Sequence, residues 1–582
     1  MEQRRFLLAM ILSGLVILVW QIFFVPDPPE PEEEEEVVVE AEEEVPSADD
    51  AAADDAAPTD ATPQDDDEAA EETPDIDPED AEELEIDEEA LEEAPEIEPR
   101  VDHIRTGELD IELSNMGAVL KDVRVTYPDQ YAGEGGQLMH AFEEDAPALP
   151  YGLSFAEGNV ELDEDAPFEV VEEESQLADD GESFERLVYR HVDGAGNFEV
   201  DKIFSIDQER RYSLRLEIEV RNTQAEGVPI VAQPALSIIG RDDPDKETSF
   251  FDVRPDVLEG VCHTTDDNHR SVFDDIEEYE RIGGHTVRWA GADTRYFMKA
   301  AVPIDGAEAC SFDAVDGRDY LRTRIYESSV TLNPEDSWDS EYVLYMGPKD
   351  FEVLGDVGFA LEESVDYGLF SFLARPLRWS LVRLYNVAGN WGLAIILLTL
   401  IIKLLTWRIT GKAYTNAERM KQIQPEIKEI REKYEDDQQR MTEETMKVFK
   451  ENNVSPLGCL PLLLQMPILY GLFVMIYNSV EIYQAQFLWY ADLSAPDPWF
   501  ILPVVMGVVM FAQQKITMST AAATNPQMQI VMKIMPVAFT AFMLFLPAGL
   551  VLYYLLNLLM GLSQQFLIKR KFRLAEEAGE EI

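Results

Sequence analysis

The chain has 582 residues and a formal net charge of -71. That length admits several domains. The charge excludes nucleic acid as a direct partner, because such a surface repels phosphate, and it suits solubility in a salt-rich environment.

The N-terminus opens with Arg4 and Arg5 and then runs apolar from Phe6 to Val25. Such a stretch fits a hydrocarbon core of ~30 Å. No small-residue cleavage site follows, so residues 1–25 are predicted to form an uncleaved transmembrane anchor with a cytoplasmic N-terminus. From Asp27 to Pro99 there are 36 Asp and Glu and no Lys or Arg. Residues 26–100 therefore read as a disordered acidic linker, unable to bury enough apolar surface to offset its ordering entropy.

Residues 101–348 carry a β pattern. In YSLRLEIEVRN, Leu214, Leu216, Ile218 and Val220 alternate with Arg215, Glu217 and Glu219, the period of a strand with one buried face. LDIELSNMGAVLKDVRV gives two more strands about Asn115 to Gly117, and turn signals such as DGAGN and RDDPD recur. The prediction is one large antiparallel sandwich lying outside the cytoplasm. It shows no nucleophile–base pair and no Gly-rich phosphate loop. Cys262 and Cys310 lie in this region and are free to pair or to remain thiols, while Cys459 belongs to the start of a membrane helix. Cys262, His263 and His269 are too sparse a set for a metal, and no cofactor is expected.

Residues 366–386 place Leu373, Leu377, Leu381 and Leu384 at helical spacing, with Arg375 opposite and Arg378 and Arg383 on the flanks. This predicts an amphipathic helix on the outer membrane surface. Five apolar segments follow, at about 390–409, 457–480, 499–514, 528–546 and 549–568. The loop from Arg408 to Lys450 holds ten Lys and Arg, whereas 481–498 holds none. The short basic and neutral loops alternate as the positive-inside rule requires for six spans with both termini in the cytoplasm. The cytoplasmic loop 411–452 carries Met420, Ile423, Ile427, Ile430 and Tyr434 at steps of 3 and 4, the seam of a helical hairpin that could bind a partner. A short tail, 571–582, closes the chain.

Within LAIILLTLIIKLLTW one residue is out of place in a bilayer, Lys403. The spans also contain Thr399, Gln465, Asn478, Ser479, Gln513, Gln514 and Asn557, but no Asp or Glu to neutralise it. Polar groups in spans face protein or water, so these residues are candidates for the lining of a wet groove. Inverted repeats and paired intramembrane charges, the marks of a solute transporter, are missing.

NWGLAIILLTLIIK, SPLGCLPLLLQMPILYGLFVMIYNSVEIYQAQF, DPWFILPVVMGVVMFAQQK and MPVAFTAFMLFLPAGLVLYYLLN together resemble the core of the YidC/Oxa/Alb family of membrane protein insertases, over about 387–570. MGPKDFEVL and VDYGLF resemble the region preceding that core in Gram-negative members. The resemblance implies a polytopic α-helical inner-membrane protein of six transmembrane helices, five of them forming the insertase core. It implies a large periplasmic all-β super-sandwich similar to sugar mutarotases, and a hydrophilic groove open to the cytoplasm and to lipid. It also implies a non-enzymatic insertase and chaperone acting on nascent membrane proteins. Its partners would be the lipid bilayer, the SecYEG translocon, and ribosome and signal recognition components. The family has an Arg where this chain has Lys403; the charge survives the difference, and the bidentate fork does not.

Overall fold

The computed structural model describes residues 97–578, except 129, 132–136, 140–148, 176–183, 226–227, 242–257, 274–275, 277–278, 316–319, 436, 455–459 and 518–525. The predicted anchor, nearly all of the predicted acidic linker, the RDDPD turn after its first residue and Cys459 lie outside the described residues.

The β region begins slightly earlier than its strand pattern suggests. Asn115 Nδ2 donates to the Glu98 carbonyl, and the Arg100 amide donates to Asn115 Oδ1. Strands Val101–Arg105, Leu109–Ser114, Val119–Val125 and Gln137–Met139 form an antiparallel sheet in chain order. Fourteen further strands form a second sheet. Its centre pairs Phe198–Ile206 with Ser213–Asn222 and that strand with Ser337–Pro348, placing Leu214 opposite Leu344 and Leu216 opposite Tyr342. The alternating strand behaves as its sequence demands, since Leu214, Leu216, Ile218 and Val220 are all fully buried. DGAGN makes the turn between two strands, with Gly196 at φ 69° and its amide donating to Asp193 O at 2.7 Å. Gly117 has a stricter role. Its φ is +75°, and a Cβ there would stand 2.2 Å from the Glu164 carbonyl oxygen.

Cys262 and Cys310 form a disulfide between two buried strands, with Cα atoms 6.5 Å apart. The bond removes Cys262 from any metal set, and His263 instead stacks on Trp289 at 5.4 Å.

Eight helices of the described chain follow the strands: α1 Phe351–Val357, α2 Ser371–Ala388, α3 Trp391–Lys433, α4 Gln438–Glu451, α5 Leu460–Asn478, α6 Ile501–Thr517, α7 Pro526–Met543 and α8 Ala548–Ala578. Within α3 and α8, the segments Trp391–Lys433 and Ala548–Leu574 are long and apolar enough to cross a membrane; shorter apolar stretches lie in α5, α6 and α7. Leu404 and Leu405 on α3 are 67% and 76% exposed, as a lipid-facing stripe requires.

Three features differ from the sequence reading. First, the predicted membrane segment and the first arm of the predicted hairpin are one helix, α3, of 43 residues. The helix carries through Gly411 and Pro425 without a break, and the chain turns only at Tyr434, with Asp437 capping α4. Ile423 and Ile427 are buried against Val448 and Val454, with Met420 and Ile430 beside them. Tyr434 is the C-cap of α3 and no part of this seam. Second, α8 continues through the predicted tail as far as Ala578. Third, Arg378 is not on the flank of α2. The buried residues of α2 are Ala374, Arg378 and Leu381, a row that shares only Leu381 with the leucine stripe, because Arg378 finds carboxylates on the protein side.

Candidate functional site

Asn390 caps α3, its side chain accepting from the Leu393 amide. From there Thr399, Lys403, Thr406, Thr410 and Tyr414 recur at steps of 4, 3, 4 and 4, which puts them on one helical face. Helix α8 answers with Asn557, Gly561 and Gln564 at steps of 4 and 3. The two polar stripes meet. Lys403 is 4% exposed, and its Nζ donates to Asn557 Oδ1 at 3.2 Å. Thr410 Oγ1 donates to Gln564 Oε1 at 2.9 Å, and Gln564 Nε2 donates to the Trp407 carbonyl at 2.7 Å. Thr399, also buried, bonds back to the Ile395 carbonyl of its own helix.

A third helix reaches this junction. Tyr414 hydrogen-bonds with the Gln513 side chain of α6. Gly561 makes room for the meeting. A Cβ there would stand 2.9 Å from the Tyr414 hydroxyl, 3.5 Å from Lys403 Nζ and 3.7 Å from Gln513 Nε2. Lys403, Asn557 and Gln513 are therefore gathered at one place, with Thr399 one turn away. Gln514 is its chain neighbour on α6 and half-buried. Gln465 lies in α5, outside the described side chains. Asn478 and Ser479 sit elsewhere, at the end of α5. Asn478 Nδ2 donates to the Asp366 carbonyl at 3.1 Å, and Ser479 Oγ donates to Met475 O at 2.6 Å. Asn478 thus belongs to the contact between α5 and the segment before α2, whereas Ser479 is turned back on α5.

Sequence reading passed over Tyr414, Thr410, Gln564 and Gly561. The signal was present as the continuation of the Thr399–Lys403 period along α3 and of the Asn557 period along α8. The charged groups of these stripes are few, and among the described residues no carboxylate forms an ion pair with Lys403. An ammonium held by one neutral amide, walled by hydroxyls and amides, can attract an anionic or polar group. Among the described residues, the junction holds no nucleophile paired with a base.

Two family models cover the described chain in succession. The YidC periplasmic domain matches residues 102–380, and the 60Kd inner membrane protein family matches residues 383–576. The chain is 31% identical to the membrane protein insertase YidC of Geobacter sulfurreducens over 475 residues, 81% of this chain and 86% of that one. It is 33% identical to the same-named protein of Syntrophus aciditrophicus over 432 residues, 74% of this chain and 77% of that one. A crystal structure of an active YidC insertase with its first transmembrane domain resolved is 20% identical, with a TM-score of 0.35, covering 80% of this chain and 94% of that one. The models adjoin within α2, past the end of the β domain, and the identity to Geobacter runs across both sides of that boundary; the chain belongs to the family of YidC membrane protein insertases, inner-membrane proteins with a periplasmic domain.

Proposed function

We propose that a nascent membrane protein presents its hydrophilic tail to the junction of α3, α6 and α8 from the cytoplasm, and that Lys403 is the charge that receives it. The observation that carries this reading is the burial of Lys403 beside a single neutral amide. A charge at the middle of a membrane helix costs about 2.5–3.5 kcal/mol on insertion scales. An arriving carboxylate at 4 Å would return about 4 kcal/mol at an effective dielectric of 20. Thr399, Gln465, Gln513, Gln514 and Asn557 keep the passage wet, with Tyr414, Thr410 and Gln564 toward its cytoplasmic end.

The apolar part of the client then leaves for lipid past α6 and α7. Helix α6 has 17 residues, or about 26 Å, so the bilayer thins beside it. The membrane potential assists an acidic tail outward, at about 2.3 kcal/mol per charge per 100 mV. In this reading the protein crosses the membrane six times with both termini inside, α2 lies along the outer leaflet, and the α3–α4 hairpin projects into the cytoplasm. It acts alone or with SecYEG, and the hairpin is the surface for ribosome or signal recognition components. It carries out no covalent chemistry.

The test is reconstitution of the pure chain in liposomes with a single-span client bearing an acidic tail. Lys403→Ala lowers insertion several-fold, and Lys403→Arg holds it near the unaltered level. Equal insertion by the Ala variant would remove the electrostatic role.

A further inference from the structure

Glu481 follows α5 by three residues and is 6% exposed. Its carboxylate pairs with the guanidinium of Arg378, itself 7% exposed on the protein side of α2. The same guanidinium stands 3.5 Å from Asp350 Oδ1, the N-cap of α1, directly after the last strand of the β domain. Arg378 also lies over the Phe351 ring at 5.1 Å. Three segments far apart in sequence thus share one buried cation.

The β domain grips the same segment at further points. Gln130 Nε2 donates to the carbonyl oxygens of Glu481 at 2.8 Å and Tyr483 at 2.5 Å. Tyr296 and Phe297 pack on Tyr483, at 4.7 and 5.8 Å between ring centroids, and Arg295 hydrogen-bonds Tyr477. The chain then runs directly to the start of α3. Asn390 Nδ2 donates to Gln486 O at 3.2 Å, and the Phe487 ring occupies the space a Cβ of Gly392 would need, with atoms 2.1–2.6 Å from that position. Helix α3 continues from Gly392 to Lys403.

We propose that Arg378 and Glu481 are positioning residues for insertion: they tie the outer end of α5, and through it the seat of α3, to the β domain, so that the domain fixes where the core helices stand. This rests on the client route described above. A buried pair is suited to the task because its energy depends on close geometry and is lost when either partner moves into water. The domain is accordingly a fixed support for the core at this end.

The tie also has a pH signature. Glu481 is faced by Arg378 and Tyr367 from the α2 side, by Asp350 from α1 and by Tyr131 from the β domain. Burial raises its carboxyl to about 7 against the pull of Arg378, and Asp350 adds to the rise. Released into water, Glu481 would return to its ordinary, lower range. The docked junction therefore binds the proton more tightly than the released one. Acid favours docking, and docking weakens as pH rises through 7, by about tenfold in the opening equilibrium between pH 6 and 8.

Hydrogen exchange on the full chain in liposomes, expressed as protection factors for the amides of 480–486, reads the tie directly. Arg378→Ala should lower protection about tenfold or more and slow client insertion, and the exchanged pair Arg378→Glu with Glu481→Arg should recover both. Unchanged protection or unchanged insertion in Arg378→Ala overturns the proposal, as does an exchanged pair no better than the single variant. Glu481→Gln, nearly isosteric, guards against a folding defect. It should keep protection and lose its dependence on pH between 6 and 8, and an undiminished dependence is a refutation. Lys403→Ala run in parallel should lower insertion without touching protection; if it inserts normally, the client route fails while the exchange data still decide the tie.

Discussion

In the periplasmic β domain Lys349 is closed in by partners: its Nζ lies 2.7 Å from Asp293 Oδ1 and 3.1 Å from the Thr294 carbonyl, and Arg270 holds the other oxygen of Asp293 at 2.9 Å. Lys202, fully buried, donates to the carbonyls of Gly117 and Tyr151 at 3.0 and 2.8 Å. In the helical core Lys403 is buried to a similar degree and meets one amide oxygen. The difference separates two uses of a buried cation. Where the charge serves the fold, the fold supplies its acceptors. Where acceptors are few, as at Lys403, the proposed route makes the site open to a visitor, and the cost of burial becomes attraction for an arriving anion.

The sharpest way to break that contrast is to remove an acceptor in the β domain. Asp293→Ala leaves the buried Lys349 and the half-buried Arg270 without their shared carboxylate and should destabilise the chain by about 3 kcal/mol or more. Thermal unfolding followed by β-sheet circular dichroism checks it; a loss below 1 kcal/mol would mean that the network does not support the fold. A smaller effect is expected from pH. Burial lowers Lys202 to about 7, below its ordinary range. The unfolded chain therefore binds the extra proton between pH 7 and 10, and this residue's contribution to stability falls as pH falls toward 7. The wild type should gain about 1 kcal/mol per pH unit over Lys202→Met between pH 8 and 9. Parallel stability curves for the two proteins would count against the buried amine. The smallest change should come from the core. Lys403→Met should stay within about 1 kcal/mol of the wild type in the same melt while insertion of acidic-tailed clients drops. A large loss of stability would place Lys403 among the structural cations and dissolve the comparison.

What could be read without coordinates was what is written locally. Leu214, Leu216, Ile218 and Val220 announce a strand because alternation is a property of neighbours, and all four are buried. The steps from Met420 to Ile430 announce a hairpin for the same reason, although Tyr434 fell outside its seam. Lys403 was visible by contrast with the apolar residues around it. Its surroundings were legible only as a list of polar residues that included Thr399, Gln513 and Asn557, without the place where they meet. Asn557 lies 154 residues away, and the importance of Gly561 is the side chain it lacks. Arg378 was misplaced because a helical wheel weighs hydrophobicity, whereas its burial follows from Glu481 and Asp350, which no periodicity connects to it. Asn478 and Ser479 look like groove residues by composition, yet Asn478 bonds to the segment before α2 and Ser479 back to α5.

The continuity of α3 makes it a lever. At 1.5 Å per residue its 43 residues span about 65 Å. Its outer end is seated by Asn390 and Phe487, and Lys403 stands about 18 Å from that seat. Pivoted there, a swing of about 7 Å at the far tip moves Lys403 by about 2 Å. On the proposed topology, whatever takes hold of the hairpin thereby gains a geared-down hand on Lys403.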